Sequence, residues 1–131
     1  MITRTHIILY VADQRAATHF YREVLAFPPT LDVPGMTEFA LGDGVILGLM
    51  PEAGIRRLLG DSLPDPSRAP GVPRVELYLV VDDPEQLHAR ALAAGARELS
   101  GFAPRDWGHC AAYSLDPDGH VLAFAAERRR P

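Results

Sequence analysis

Two polar residues open apolar runs at matching places in the chain. His6 begins His6-Ile7-Ile8-Leu9-Tyr10-Val11-Ala12-Asp13, and Glu76 begins Glu76-Leu77-Tyr78-Leu79-Val80-Val81-Asp82-Asp83. An imidazole and a carboxylate in apolar surroundings are the groups that serve as general bases, so Glu76 and His6 are the catalytic candidates. A carboxylate buried there without a partner is costly, and Glu76 is expected to meet water, a hydrogen-bond donor or His6. Side chains alternate along a strand, which puts Tyr10 on the face of His6 and Tyr78 on the face of Glu76. Other polar groups carry less. Cys110 has no second cysteine to resolve it and reads as a small buried hydrophobe. His19 and His88 lie off the apolar stripes of their helices and His120 follows a turn, so all three are expected in solvent. Glu38 lies in a hairpin, on a side expected to face solvent.

The elements that must position these groups are two copies of one plan. The two apolar runs stand 70 positions apart, are rich in β-branched and aromatic residues, and close on an aspartate that can cap a following helix. The first helix, Gln14 to Ala26, places Ala17, Phe20, Tyr21, Val24 and Leu25 on one stripe. The second starts at Pro84, has Gly95 as a left-handed cap, and carries the narrower stripe Leu87, Ala91 and Ala94. After each helix the period changes to two. Met36 to Leu41 and Val45 to Met50 read as a hairpin around Gly42-Asp43-Gly44. Cys110 to Leu115 and His120 to Ala126 read as its partner around Asp116-Pro117-Asp118-Gly119. A weaker strand precedes each hairpin, near Thr30 to Val33 and Arg97 to Gly101. The stretch Pro51 to Pro73 between the copies has five prolines and a short apolar helix, Ile55 to Leu59, and reads as a linker. Each copy is strand, helix, then three strands, an α+β pattern.

Composition bounds the function. The 131 residues, 47% hydrophobic and 23% charged, describe one domain over 1–131, with module one at about 4–50, the linker at about 51–73 and module two at about 74–127. A net charge of −4 argues against a nucleic-acid partner. No run reaches the ~18 apolar residues of a membrane span, and no cleavable leader is recognisable, so the expected location is the cytoplasm. One cysteine excludes an internal disulfide and a multi-cysteine zinc site. All thirteen basic residues are arginine, and the one cluster, Arg128-Arg129-Arg130, is expected to be a solvated terminus.

Two tandem βαβββ modules with Asp-Pro-Asp-Gly opening the last strand, after Trp107-Gly108-His109-Cys110-Ala111-Ala112-Tyr113-Ser114-Leu115, resemble the vicinal oxygen chelate superfamily. That group comprises glyoxalases, bleomycin-resistance proteins and extradiol dioxygenases. The resemblance runs from Thr5 to about Glu127 and implies curved mixed sheets around a shared cavity. It also implies the places of the metal ligands in metal-dependent members, one early in each first strand and one in each last strand. The first-strand places hold His6 and Glu76. The last-strand places hold Gly48 and Ala123, which coordinate nothing, and two ligands fall short of the usual three. Glu38 and His109 are the nearby side chains that could add one. The resemblance therefore implies the bleomycin-resistance-like branch: no metal cofactor, a homodimer, and a cavity with room where relatives hold an ion. Its expected ligand-binding residues are His6, Tyr10 and Met50 from module one. Module two supplies Glu76, Tyr78, Trp107, His109 and Tyr113.

The expected function is therefore binding or sequestration of a small, largely apolar or aromatic molecule. The alternative is a divergent lyase, isomerase or dioxygenase that uses His6 and Glu76 to hold a divalent metal or for acid–base catalysis. A third reading is a degenerate module that only dimerises or regulates a partner.

Overall fold

The computed structural model describes residues 1–129. Arg130, the last member of the basic cluster, lies outside the described residues; Arg128 and Arg129 are exposed. The chain divides into two compact units. One comprises residues 1–22 and 26–70, the other residues 23–25 and those from 71 onward.

The first unit begins with β1 (Thr5–Val11) and most of α1 (Gln14–Leu25), whose residues 23–25 are grouped with the other unit. Asp13 caps α1 by accepting from the Ala16 N–H at 3.0 Å. Three strands follow, β2 (Leu31–Val33), β3 (Met36–Gly42) and β4 (Val45–Pro51), and the sheet order is β1-β4-β3-β2. β1 runs parallel to β4, with Ile8 opposite Gly48 and Tyr10 opposite Met50. β3 runs antiparallel to β4, with Glu38 opposite Gly48. Leu9, Val11, Phe39, Leu47 and Leu49 are buried, as are Ala17, Phe20, Tyr21 and Val24 of the expected α1 stripe. The pattern of the sequence thus sorts the strands into a core side and an open side. The linker helix is α2 (Glu52–Leu59), three residues longer at its start than its apolar run suggests.

The second unit repeats the plan with β5 (Glu76–Val80), α3 (Pro84–Ala93), β6 (Arg97–Pro104), β7 (His109–Leu115) and β8 (Val121–Glu127). Its sheet order, β5-β8-β7-β6, is the same wiring. Together the units form two four-stranded mixed sheets with their helices, the α+β class. The Asp116 carboxylate accepts from the N–H groups of Asp118 and His120 at 2.9 and 2.8 Å, which shapes the turn into β8. Gly119 completes it at φ +91°, with its open side 2.6 Å from Gly71 Cα once a Cβ is added.

Two expectations about histidines are corrected here. His88 is buried at 7% exposure, and its Nε2 lies 2.8 Å from Glu98 Oε2. The buried stripe of α3 is Pro84, His88 and Ala91, while Leu87 and Ala94 are only half-buried. The stripe turns by one position because the helix is short and its apolar residues are few, so an imidazole with a carboxylate partner fills a core place. His120 is half-buried with Nδ1 2.8 Å from Asp116 Oδ2, because the turn folds its ring back on the aspartate.

Candidate functional site

The β7–β8 register places the site residues of the second unit. Counting back from the turn, Leu115 faces Val121, Tyr113 faces Ala123, and His109 faces Glu127. Across β8, Tyr78 also lies opposite Ala123. One row of the sheet therefore reads Tyr78, Ala123, Tyr113, with a fully buried alanine between two tyrosines. Alternation puts these residues, with Glu76, Val80 and His109, on the side opposite Leu77, Leu122 and Phe124. Those three are buried, whereas Val80 and Glu76 are exposed.

On that open side the polar groups connect. The Tyr78 hydroxyl lies 2.6 Å from His109 Nδ1, and the Trp107 indole N–H donates to the same hydroxyl at 2.8 Å. Glu127 Oε1 lies 3.5 Å from His109 Nε2. The Tyr78 ring stands near Trp107 and His109, with centroids 6.5 and 5.7 Å away. Tyr113 joins through its ring. The Arg105 guanidinium lies over it at 5.1 Å, held by the carbonyls of Gly101 and Ala111 and the Ser100 hydroxyl. Burial raises the Tyr113 phenol above its ordinary range, and the charges of Glu76 and Tyr78 push the same way, against Arg105. Glu76 is solvated rather than buried, so the cost expected of a lone carboxylate in an apolar strand does not arise.

The open side of the first sheet carries His6, Tyr10, Met50 and Gly48. His6 Nδ1 lies 3.3 Å from Glu38 Oε2, so the carboxylate that meets His6 comes from β3. Glu38 is half-buried, which corrects the expectation that it faces solvent: the strand register sets it on the same side of the sheet as His6, whose ring it meets. Ile8, Tyr10, Leu31 and Val33 are exposed on the same side. Cys110 is half-buried in the wall of an open cleft of about 590 Å³, among Pro84, Phe102, Ala126 and Arg128. That corrects its expected full burial: it stands at the start of β7 opposite the half-buried Ala126, on the wall of the cleft.

The sequence model of the Glyoxalase/Bleomycin resistance protein/Dioxygenase superfamily matches residues 3–124. The chain belongs to this superfamily. Among solved structures similar to it is a glyoxalase-related enzyme from Fulvimarina pelagi, with TM-score 0.80 and 23% identity over 94% of this chain and 86% of that one. A glyoxalase/bleomycin resistance protein/dioxygenase from Nocardioides aligns with TM-score 0.77 and 24% identity over 98% of this chain and 85% of that one. A family enzyme from Burkholderia phytofirmans PsJN aligns with TM-score 0.79 and 19% identity over 94% and 97%. At these identities the likeness is one of fold. No protein of curated function matches the sequence.

For a glyoxalase-superfamily chain the donor set is thin. Within either unit, among the described residues, no three His, Cys, Asp or Glu side chains converge. A Cβ built on Gly48 would stand 3.1 Å from Ile8 Cγ1 and 3.2 Å from Met36 Sδ, so the place of a ligand side chain is already crowded. Of the residues expected from sequence, the second unit joins Tyr78, Trp107 and His109 directly and Tyr113 by its row. Glu76 acts on Tyr113 through its charge, and the first unit keeps His6, Tyr10 and Met50 on one sheet face. Sequence reasoning missed Glu127 and Arg105. Glu127 was legible, since equal counts from the turn set it opposite His109. Nothing in the sequence marks Arg105, whose place depends on the irregular pairing of β6 with β7.

Proposed function

We propose that the chain binds a small, largely apolar or aromatic molecule against the open face of the second sheet, with no resident metal. The observation that carries this reading is the hydrogen-bonded group Tyr78, His109 and Trp107, set beside the tyrosine-flanked Ala123. A few oriented polar groups on apolar ground are the usual composition of an organic ligand site. Aromatic rings supply area at low entropic cost, and Trp107, at 55% exposure, has apolar surface to offer. The absence of a side chain at Gly48 and its shortness at Ala123 support the metal-free form, since neither can serve as a ligand. The test is amide NMR on chelator-treated protein titrated with a panel of small aromatic molecules. Shifts centred on Tyr78, His109 and Tyr113, with the added compound recovered unchanged, are expected. Conversion of the compound, or shifts confined to other surfaces, would contradict the reading.

A second reading has one observation in its favour. His6 with Glu38 brings an imidazole and a carboxylate together beside Gly48, the beginning of a metal or acid–base site for a lyase, isomerase or dioxygenase. In that reading His6 retains its place from the sequence analysis and Glu38 joins Glu76 as a candidate base. Elemental analysis after soaking in divalent ions tests it. A stoichiometric ion lost in His6→Ala would favour this reading over binding alone.

A further inference from the structure

We propose that the Arg105 guanidinium holds an anionic oxygen of the ligand through Nη1, so that the open face of the second sheet selects small aromatic carboxylates. The proposal rests on the reading of this face as the ligand site and names the charge its ligand carries. Arg105 follows β6, and its backbone N–H donates to the His109 carbonyl at 2.8 Å, which pins the loop. β6 shifts register between Ser100 and Ala103, so its ladder with β7 is broken there. One edge of the guanidinium fills the break. Nε donates to the Ala111 carbonyl at 3.2 Å. Nη2 shares its hydrogens among the same carbonyl at 2.9 Å, the Gly101 carbonyl at 2.8 Å and the Ser100 hydroxyl at 2.9 Å. Ser100 stands opposite Tyr113 in register, and the guanidinium carbon lies 5.1 Å from the centre of the Tyr113 ring. The cation is therefore held on the side of the sheet that carries Tyr113.

Mending the ladder needs only the edge formed by Nε and Nη2. Among the described residues, the N–H groups of Nη1 have no partner and no carboxylate pairs with the charge. The buried side-chain atoms without a partner are His88 Nδ1 and Ser114 Oγ, so Nη1 is open to solvent. A guanidinium already fixed by its acceptors and a ring loses little freedom when an anion arrives. Both edges that could grip a carboxylate by paired bonds use Nη2, so the carboxylate takes single charge-assisted bonds from Nη1. The acidic group whose charge reaches Tyr113 is Glu76, which opposes an anion here but is exposed and screened by water. The ligand's ring is left to the aromatic surface of the same face, Trp107 included. Ser100 is a positioning residue in this scheme; the recognition atom is Arg105 Nη1.

Benzoate and benzamide are suitable probes because they share a ring and a planar head and differ in charge. Trp107 is the sole tryptophan of the chain and donates to Tyr78, so its fluorescence reports on the site directly. At low salt benzoate should bind about tenfold more tightly than benzamide, the worth of a charge-assisted bond at a half-buried cation. The preference should shrink to about twofold or less in concentrated salt, which screens the charge. In nitrogen NMR the Arg105 Nε–H signal, assigned through its own backbone amide, should move with benzoate. In Arg105→Gln the preference should fall below about twofold. Should that variant fail to fold, the wild-type comparison and the Nε–H signal decide alone. Equal affinity for the two probes, or a preference that leaves the Arg105 Nε–H signal in place, would overturn the proposal while leaving the binding site intact. Failure of both probes to change Trp107 emission would overturn the binding reading and the selection with it.

Discussion

Tyr113 is the side chain whose surroundings make the clearest demand on pH. Its phenol is raised first by burial, then by Glu76 and Tyr78, so the folded chain disfavours the phenolate more than the unfolded chain does. The sign follows by linkage. The stabilisation is fully present below the ordinary phenol range, near 10, and is lost as pH rises through that range toward the raised value. Denaturation curves between roughly pH 9 and 11 should therefore show a falling midpoint that flattens in Tyr113→Phe. An unchanged slope would remove Tyr113 as the cause. At this scale the sequence was legible where a residue type and a strand face sufficed, as for Tyr78, His109 and Tyr113. It misled for His88, which is buried with a Glu98 partner rather than solvated. Partners that arrive from other strands, such as Glu38 for His6, are set by register rather than by the neighbourhood in sequence.

The ends of elements hold the next predictions. Ala26, which closes α1, has φ +64°, the sole positive value outside glycine among the described residues. A Cβ in the left-handed region costs roughly 1–2 kcal/mol, so Ala26→Gly should raise stability by about 1 kcal/mol, less the added freedom of the unfolded chain. Gly119 gives the opposite case. An added Cβ meets Gly71 backbone at 2.6 Å in addition to a positive φ, and Gly119→Ala should cost about 2–4 kcal/mol. Asp83 caps α3 by accepting from Gln86 N–H at 3.2 Å, and Asp83→Ala should cost about 1 kcal/mol. Chemical denaturation of the three variants measures all of these. Helices and hairpins were readable because caps, glycines and periodicity agree with one another. The strands called weak are explained by their geometry. β2 has three residues, too few to alternate, and β6 shifts register between Glu98 and Ser100 and again before Ala103, which breaks a period of two.

Across the whole molecule the same wiring occurs twice, each time with a parallel first pair and an antiparallel hairpin beside it. The repeat was visible in the sequence because each module restates its own capping aspartate and turn glycine. The chemistry was less visible, since the two copies have diverged: the first sheet pairs His6 with Glu38, and the second links Tyr78, His109 and Trp107. Superfamily membership fixes the architecture and leaves the ligand to these side chains. No helix among the described residues is long and apolar enough to cross a membrane. The most direct measurement of the central claim is Trp107 fluorescence during titration of chelator-treated protein with small aromatic ligands, repeated after restoring divalent ions. The account predicts a saturable change of equal affinity in both conditions. A response that appears only after the ions are restored would contradict it.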